Sequence, residues 1–340
     1  SILAKIMSLI QTAADNLKNI LNQAIEHQPN KRAVIVFDTY SQLSTLLAEA
    51  YRLALPEATF IDFEIATPED ILKTFEELGA GDLVVLVQSM SFRLNEFRIR
   101  VELFKKGLKV IEHPHLARMK SDEAAVYVDS LAYDSGYYRV IGPKLKTLID
   151  KAQSAIVESP GSTLRYESTF EETKLNIGDY TGMKNVGGQF PIGEVFTEPK
   201  NLDGVNGEVK IFAFGDTSFS VNVPDEPITL VIEKARVVSV KNSTPEFDKV
   251  IEQIKADEEV WVRELGFGMN KAFSRDRRVL DVGTYERMCG IHISLGAKHS
   301  IYAKPGLKRR EGRYHVDVFV KTDRVLLDDK VVYQDDAWCV

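Results

Sequence analysis

Residues 32 to 38, Arg32-Ala-Val-Ile-Val-Phe-Asp38, form a short β-rich block behind a Pro-Asn turn. Before this block, apolar residues recur at helical spacing from Leu3 to Ile25. The pattern therefore predicts an amphipathic helix followed by a buried strand. A helix that alternates with a buried strand is the building block of α/β folds.

The same alternation continues through the first half of the chain. Helical patterns alternate with strand patterns, the helices over 41–53, 68–78 and 92–106 and the strands over 59–63, 82–87 and 108–111. This order predicts an α/β domain whose parallel sheet has helices on both faces. The segment Gly79-Ala80-Gly81 lies between a helix and the next strand, where glycine ends a helix. It is not at the strand-to-helix turn that binds dinucleotides, so no such cofactor is expected.

The pattern changes after residue 157. Alternating apolar and polar residues predict strands over 163–168, 207–214, 218–223 and 228–240, and two further strands over 314–321 and 324–333. One helix is predicted over 245–256, with Thr244 as its N-cap. We therefore expect two domains, an α/β domain over 1–157 and a β-rich α+β domain over 158–340.

Composition and charge exclude several classes of protein. The chain has 340 residues, of which 44% are hydrophobic and 27% charged, as in ordinary globular proteins. Its formal net charge of −7 repels phosphate backbones, so we expect no nucleic-acid partner. No apolar run is long enough for a membrane span, which predicts no membrane association. The only cysteines, Cys289 and Cys339, are too few for a disulfide scaffold and favour the cytoplasm.

Three of the six histidines, His292, His299 and His315, fall within 24 consecutive residues. His315 and Asp317 are two apart in a β-rich segment, so their side chains share one face of the strand. Such a pair can bind a divalent ion, although a hydrogen-bonded surface pair has the same spacing.

Other ionisable side chains are embedded in apolar sequence. His292 lies in Gly290-Ile-His-Ile-Ser-Leu-Gly296, and Glu194 lies in Phe190-Pro-Ile-Gly-Glu-Val-Phe-Thr-Glu-Pro199. Glu264 lies in Arg263-Glu-Leu-Gly-Phe-Gly-Met-Asn270, read as an apolar strand that runs into a glycine-rich turn. Because a buried carboxylate without a partner is strongly destabilising, each of these acids is expected to face a cation.

Taken in order, these segments and His315-Val-Asp317 resemble the signatures of the aminopeptidase T and aminopeptidase S family of metal-dependent exopeptidases. The resemblance covers most of 185–330. It implies that one or two divalent ions, Zn²⁺, Co²⁺ or Mn²⁺, are held in the C-terminal domain, and that the chain forms a homodimer that hydrolyses small peptides from their N-termini. The implied metal ligands are Glu194, Glu264, His292, His315 and Asp317. Two such ions can activate a bridging water and polarise the scissile carbonyl.

The chain departs from the family pattern at three positions. Gly193 and Arg287 stand where the family has acids, and Glu286, beside Arg287, is an alternative ligand. His299 stands where the family has a tyrosine that stabilises the tetrahedral intermediate. The catalytic residues are thus expected to be Glu264 and His299, the latter as general acid or oxyanion donor.

Two alternatives remain open. A ring-cleaving dioxygenase of dihydroxypyridines, with one Fe²⁺ held by two histidines and one aspartate, resembles the same superfamily, and His315 and Asp317 would suit that site equally. That enzyme has a histidine at the position of Glu264 and an apolar residue at the position of Glu194, so this chain favours hydrolysis. The other alternative is a non-catalytic descendant that keeps the fold.

Overall fold

A computed structural model describes residues 1–92, 94, 99–298, 301, 302, 304 and 312–340. The chain forms two compact units. The first comprises Ser1–Tyr138 and Gly178–Ile192, and the second comprises Arg139–Ile177 and Gly193–Val340. The domain boundary expected after residue 157 stays a prediction.

Helices and strands alternate as expected up to residue 113, after which two helices and then three strands follow up to residue 177. In chain order they are α1 (Ile2–Asn19), which continues as a π-helical turn (Ile20–Ala24), β1 (Ala33–Phe37), α2 (Gln42–Ala54), β2 (Thr59–Asp62), α3 (Pro68–Glu76), β3 (Leu83–Val87), α4 (Ile99–Lys105), β4 (Lys109–His113), the 3₁₀ turns Leu116–Arg118 and Ser121–Glu123, α5 (Ala124–Ser130), α6 (Ser135–Lys151), β5 (Ala155–Ser159), β6 (Ser162–Tyr166) and β7 (Lys174–Asn176).

The remaining elements are mostly strands. They are β8 (Gly187–Gln189), β9 (Glu194–Thr197), a 3₁₀ turn (Leu202–Gly204), β10 (Val205–Gly215), β11 (Val221–Asn222), β12 (Ile228–Glu233), β13 (Arg236–Lys241), α7 (Pro245–Lys255), β14 (Val262–Gly268), α8 (Val282–Tyr285), β15 (Gly290–Leu295), β16 (Val316–Val320), β17 (Arg324–Leu327), β18 (Lys330–Gln334) and β19 (Ala337–Trp338).

The first unit is built on a five-stranded parallel sheet in the order β2-β1-β3-β4-β8. All five residues of β1 and of β3 are buried, as expected for strands that are covered on both faces. On one face, Val34 and Val36 pack with Ile71 and Phe75 of α3 and with Leu103 of α4. On the other face, α2 packs against β3. The parallel sheet with its helices confirms the predicted α/β class.

Local signals set the helix ends in this unit. The Ser41 hydroxyl accepts from the Ser44 amide and begins α2 with a capping box, and Thr67 caps α3, whose first residue is Pro68. The helix predicted over 92–106 is observed as α4 from Ile99, and residues 93 and 95–98 lie outside the described part of the chain.

The second unit is built on a fourteen-stranded antiparallel sheet. Its main path runs β19-β18-β17-β5-β6-β10-β16-β15-β14-β9-β7, with β11, β12 and β13 attached through β10. The predicted helix over 245–256 is confirmed as α7 and is capped by Thr244. This sheet, with few helices, confirms the β-rich second half. Four neighbouring strands, β9, β14, β15 and β16, lie side by side and carry the site described below.

One local prediction is wrong. The glycines after Glu264 do not form a turn, because Gly266 and Gly268 are part of β14 and pair with both β15 and β9. A Cβ atom at residue 268 would lie 1.7 Å from the carbonyl oxygen of Met288. These positions are therefore glycine because neighbouring groups approach the backbone of β14 closely, and not because the chain turns there.

None of the helices in the described ranges combines the length and the apolar character needed to cross a membrane.

Candidate metal centre

Four adjacent strands bring the predicted ligands together. Glu194 is the first residue of β9, Glu264 lies in β14, His292 in β15 and Asp317 in β16, and His315 directly precedes β16. The antiparallel register places Glu194 opposite Gly268, Gly266 opposite His292 and Ser294 opposite Asp317. Residues more than 120 positions apart in the sequence therefore meet on one face of the sheet.

A β-bulge lies beside this group, at Arg263 and Glu264 of β14. Val262 pairs with Leu295 and Leu265 pairs with Ile293, so Arg263 and Glu264 together face the single residue Ser294. The Glu264 amide donates to the Ser294 hydroxyl over 2.9 Å. Bulges of this kind redirect side chains beside functional sites, and this one lets two consecutive residues line the same cleft.

The ligand atoms lie within a few ångströms of one another. His292 Nε2 is 3.4 Å from Glu194 Oε2 and 3.6 Å from Glu264 Oε1. His315 Nε2 is 3.6 Å from Glu264 Oε2 and 3.2 Å from Asp317 Oδ1. The Glu264 carboxylate thus lies between the two imidazoles, with one oxygen toward each.

Several of these buried atoms lack a hydrogen-bond partner. Among the described residues, Glu194 Oε2, Asp317 Oδ1 and both ring nitrogens of His292 are buried and unpartnered. The His292 side chain is completely buried, whereas those of Glu264 and His315 are 22% and 24% exposed. Buried polar atoms are almost always paired, so these unpartnered atoms require another explanation.

The electrostatics of the group follow from burial and from the close carboxylates. Burial lowers the pKa of His292, but Glu264, Glu194 and Asp317 outweigh it and raise that pKa to about 9. Burial likewise opposes protonation of His315, while Asp317 and Glu264 raise its pKa to about 10. For Glu194 burial prevails and raises the pKa of the carboxyl. The acids thus favour a positive charge among them, which a proton or a metal ion can supply.

The donor set fits a divalent metal ion. One ligand atom each from Glu194, Glu264 and His292 lies within 4.8 Å of the others. Mixed carboxylate and imidazole ligands suit Zn²⁺, Mn²⁺, Co²⁺ or Fe²⁺, and three protein ligands leave a position for water or substrate. An ion bound there would also satisfy Glu194 Oε2 and Nε2 of His292.

A buried guanidinium lies beside these acids. Arg287 forms an ion pair with Glu286 and donates from Nη1 to the carbonyl oxygen of Gly283 over 2.7 Å. Burial lowers the pKa of Arg287, but the charges of Glu286, Glu194 and Asp317 outweigh it and raise that pKa. Glu286, considered above as an alternative ligand, is therefore bound to Arg287.

His299, the second predicted catalytic residue, lies outside the described residues, so its position stays a prediction. Glu264, the other one, lines a cleft with an empty volume of about 300 Å³ that also contains His315, Phe196, Ile301 and Tyr302.

A buried ion pair in the same cleft was not predicted from the sequence. Arg263 Nε lies 2.8 Å from Glu198 Oε1, and both side chains are at most 5% exposed. Lys304, whose side chain is 2% exposed, lies 3.1 Å from Glu171 and 3.9 Å from Glu198. Arg263 lies in the same sequence segment as Glu264, and Glu198 lies in the same segment as Glu194. A basic and an acidic residue in two apolar segments could therefore have indicated this ion pair.

The comparisons with known proteins find solved structures with a similar fold but no sequence family. No protein-family model and no curated protein matches the chain. The structure of a 2,5-dihydroxypyridine dioxygenase from Pseudomonas putida KT2440 is similar over 96% of each chain, with 18% identity and a TM-score of 0.62. That of AmpT from Thermus thermophilus is similar over 97% of this chain and 99% of its own, with 14% identity and a TM-score of 0.58. At these identities the likeness shows a shared fold.

Proposed function

We propose that this protein is a metal-dependent hydrolase of the aminopeptidase type, which removes N-terminal residues from small peptides. The observation that carries the proposal is the buried group of Glu194, Glu264 and His292, whose ligand atoms lie within 4.8 Å of one another. The structural neighbours are an aminopeptidase and a dioxygenase, which supports an enzymatic function.

The chain's own residues have separable roles in this proposal. Glu194 and His292, both buried, and Glu264, which lines the cleft, would hold the ion. A divalent ion bound there supplies an activated water and polarises a carbonyl. Glu264 lines the cleft, and its carboxylate would accept a proton from a water bound there. His299 remains our candidate for the general acid or oxyanion donor.

The cleft chemistry suits a free amine. Of the two acids that line the cleft, Glu198 is paired with Arg263, so a protonated N-terminus or an amine bound near the ion would be attracted to Glu264. Such recognition would restrict hydrolysis to the first peptide bond. A homodimer is also part of this proposal, and it rests on the resemblance alone.

An Fe²⁺-dependent ring-cleaving dioxygenase is the second candidate. The fold similarity to the dihydroxypyridine dioxygenase supports it, as does the His315–Asp317 pair, whose atoms are 3.2 Å apart. Non-haem iron oxygenases bind Fe²⁺ through two histidines and one carboxylate. The three ligand atoms that come closest here belong to one histidine and two glutamates, which favours hydrolysis.

Two activity assays on the same preparation distinguish the candidates. Protein stripped with chelator and reloaded with Zn²⁺, Co²⁺ or Mn²⁺ should hydrolyse Leu-p-nitroanilide or dipeptides. Protein reloaded with Fe²⁺ should not consume oxygen with 2,5-dihydroxypyridine. Glu264→Gln should abolish hydrolysis, whereas Glu252→Gln, an exposed acid on α7, should leave it unchanged. Oxygen uptake without hydrolysis would favour the dioxygenase, and the absence of both activities with every metal would favour a non-catalytic descendant.

A further inference from the structure

We propose that Lys304 is a positioning residue, which holds Tyr302 and Ile301 in place as one wall of the cleft, so that substrate binding depends on it. This inference rests on the proposed function, because Tyr302 and Ile301 line the same cleft as Glu264. Lys304 is not one of the described residues that line the cleft, so it acts through this wall and not by touching the substrate.

The connection between β15 and β16 reaches from one side of the site to the other. Near its two ends, the Lys298 amide donates to the Tyr314 carbonyl oxygen over 2.9 Å. Between these points, Tyr302 and Lys304 contact residues of three more distant segments, namely Arg263 in β14, Glu198 after β9, and Glu171 and Glu172 before β7. The strand order in the sheet is β16-β15-β14-β9-β7. The described residues of this connection therefore extend from the β15–β16 side of the site to the β9–β7 side.

The cleft is lined both by the sheet and by this connection. Phe196 of β9, Glu264 of β14 and His315 before β16 line it from the sheet, whereas Ile301 and Tyr302 line it from the connection. A peptide bound at Glu264 would therefore also contact the wall that Ile301 and Tyr302 form.

Three contacts fix Tyr302 in this wall. Its hydroxyl donates to the Glu172 carbonyl oxygen over 2.6 Å, and its own carbonyl oxygen accepts from Arg263 Nη2 over 3.0 Å. The Lys304 ammonium lies 5.6 Å from the centre of its ring, within the range of a cation–π interaction. The hydroxyl, the backbone and the ring of Tyr302 are thus each held by a different residue.

The position of Lys304 is specified by its charged partners. Its side chain is 2% exposed, and Nζ lies 3.1 Å from Glu171 Oε1 and 3.9 Å from Glu198 Oε1. Glu198 also pairs with Arg263 over 2.8 Å, so two bases balance two acids. A lysine is almost never buried without such partners, and a fully paired buried network favours a single conformation. Loss of the Lys304 charge would leave one acid in excess and release the segment that carries Tyr302.

A double-mutant cycle on the full chain tests this inference. The wild type, Lys304→Gln, Tyr302→Ala, the double variant and the control Lys249→Gln, an exposed lysine on α7, are loaded with Co²⁺ and assayed with Leu-p-nitroanilide. We expect KM to rise about tenfold in each single variant at the wall and no further in the double variant, because both changes disrupt the same wall. Lys249→Gln should keep the wild-type KM. The affinity for Co²⁺ should be unchanged throughout, since neither Lys304 nor Tyr302 is a proposed ligand.

Hydroxyl-radical footprinting with mass spectrometry gives a second measurement that does not depend on activity. In Lys304→Gln the labelling of Tyr302 should rise toward that of Tyr40, which is 62% exposed. In Lys249→Gln it should stay at the wild-type level.

The outcomes separate this inference from the proposed function. A wild-type KM or unchanged labelling of Tyr302 in folded Lys304→Gln would overturn the role of Lys304 and leave the hydrolase intact, and so would additive changes of KM in the cycle. A wild type without hydrolysis with any metal would overturn the proposed function, and the labelling of Tyr302 would still decide whether Lys304 holds this wall. If Lys304→Gln does not fold, Glu171→Gln, which removes the nearest charged partner of Lys304, takes its place in both measurements.

Discussion

Gly266 lies directly opposite His292 across the β14–β15 pair, and a Cβ atom at residue 266 would lie 2.1 Å from the imidazole. The absence of a side chain at residue 266 therefore makes room for the one completely buried histidine among the predicted ligands. This contact links a glycine that has no chemistry of its own to the geometry of the metal centre.

Gly266→Ala should weaken both metal binding and stability. Because the methyl group would displace the imidazole, we expect a loss of about 1–3 kcal/mol in the free energy of unfolding and a lower affinity for Zn²⁺ or Co²⁺. Denaturant unfolding and metal titration measure the two effects. Gly283→Ala is the control, because the exposed Gly283 has only Asp281 Oδ2, at 3.7 Å, near the new methyl. Wild-type affinity in Gly266→Ala would contradict this account of the glycine.

Glu194→Gln should change stability in opposite directions with and without metal. Burial raises the pKa of Glu194, so its ionised form is less favourable in the folded protein than in the unfolded chain. The uncharged amide removes this penalty, and we expect the chelator-treated variant to unfold at a higher denaturant concentration than the wild type. In saturating Zn²⁺ the order should reverse, because a charged ligand is lost and affinity falls at least roughly tenfold.

Denaturant titrations of both proteins, each with chelator and with Zn²⁺, measure this crossover. The exposed Glu252→Gln should show no crossover. A Glu194→Gln protein that is less stable than the wild type under both conditions would mean that Glu194 is held by the protein and not by an ion.

His113, at the end of β4 in the first unit, should make the free energy of unfolding depend on pH in the acidic range. The Tyr127 hydroxyl donates to the Phe190 carbonyl oxygen, so Tyr127 accepts from His113 Nδ1 over 2.9 Å, and Nε2 accepts from Tyr51 over 2.6 Å. Burial lowers the pKa of His113 to about 3. His113 is thus neutral in the folded protein. In the unfolded chain its pKa is about 6.5, so below that pH the unfolded chain binds more protons than the folded protein.

The stabilisation by neutral His113 is complete above pH 6.5 and declines as the pH falls toward 3. We expect the wild type to lose up to about 1.4 kcal/mol per pH unit over this range relative to His113→Gln, which can donate and accept but does not titrate. The difference between the two unfolding curves, measured from pH 7 to pH 4, isolates this effect from the other histidines. Parallel curves would show that His113 is not buried in its neutral form.

The buried ion pair between Glu198 and Arg263 should be sensitive to the loss of one partner. Glu198→Gln leaves the guanidinium of Arg263 buried beside Lys304, and we expect a loss of about 3–5 kcal/mol. The double variant Glu198→Gln, Arg263→Met should recover part of this loss, since no arginine charge remains to be compensated. A double variant no more stable than Glu198→Gln in denaturant unfolding would contradict this interpretation.

The sequence predicts the architecture well where the signal is local. The apolar run of β1 and the caps Ser41 and Thr67 specify their own elements, whatever the rest of the chain does. Strand β8 carries no such signal, because Gly187-Gly188-Gln189 has no apolar pattern. Its place beside β4 depends on backbone contact, since a Cβ at residue 187 would lie 1.8 Å from the Val110 carbonyl oxygen.

The candidate site is predictable in its residues but not in its details. Glu194 and Glu264 are recognisable because an acid in an apolar strand needs a cation. The bulge that lets Arg263 and Glu264 line the same cleft depends on how β14 pairs with β15, and the proximity of Arg287 to Glu194 depends on segments almost a hundred residues apart. Such long-range relationships are not encoded in any local pattern.

Anomalous scattering from a crystal saturated with Zn²⁺ or Co²⁺ and free of chelator tests the central claim most directly. We predict a peak in each chain roughly 2.0–2.2 Å from Glu194 Oε2, Glu264 Oε1 and His292 Nε2. A saturated crystal with no peak among these three side chains, or with the metal bound elsewhere on the chain, would contradict the claim that they form a metal centre.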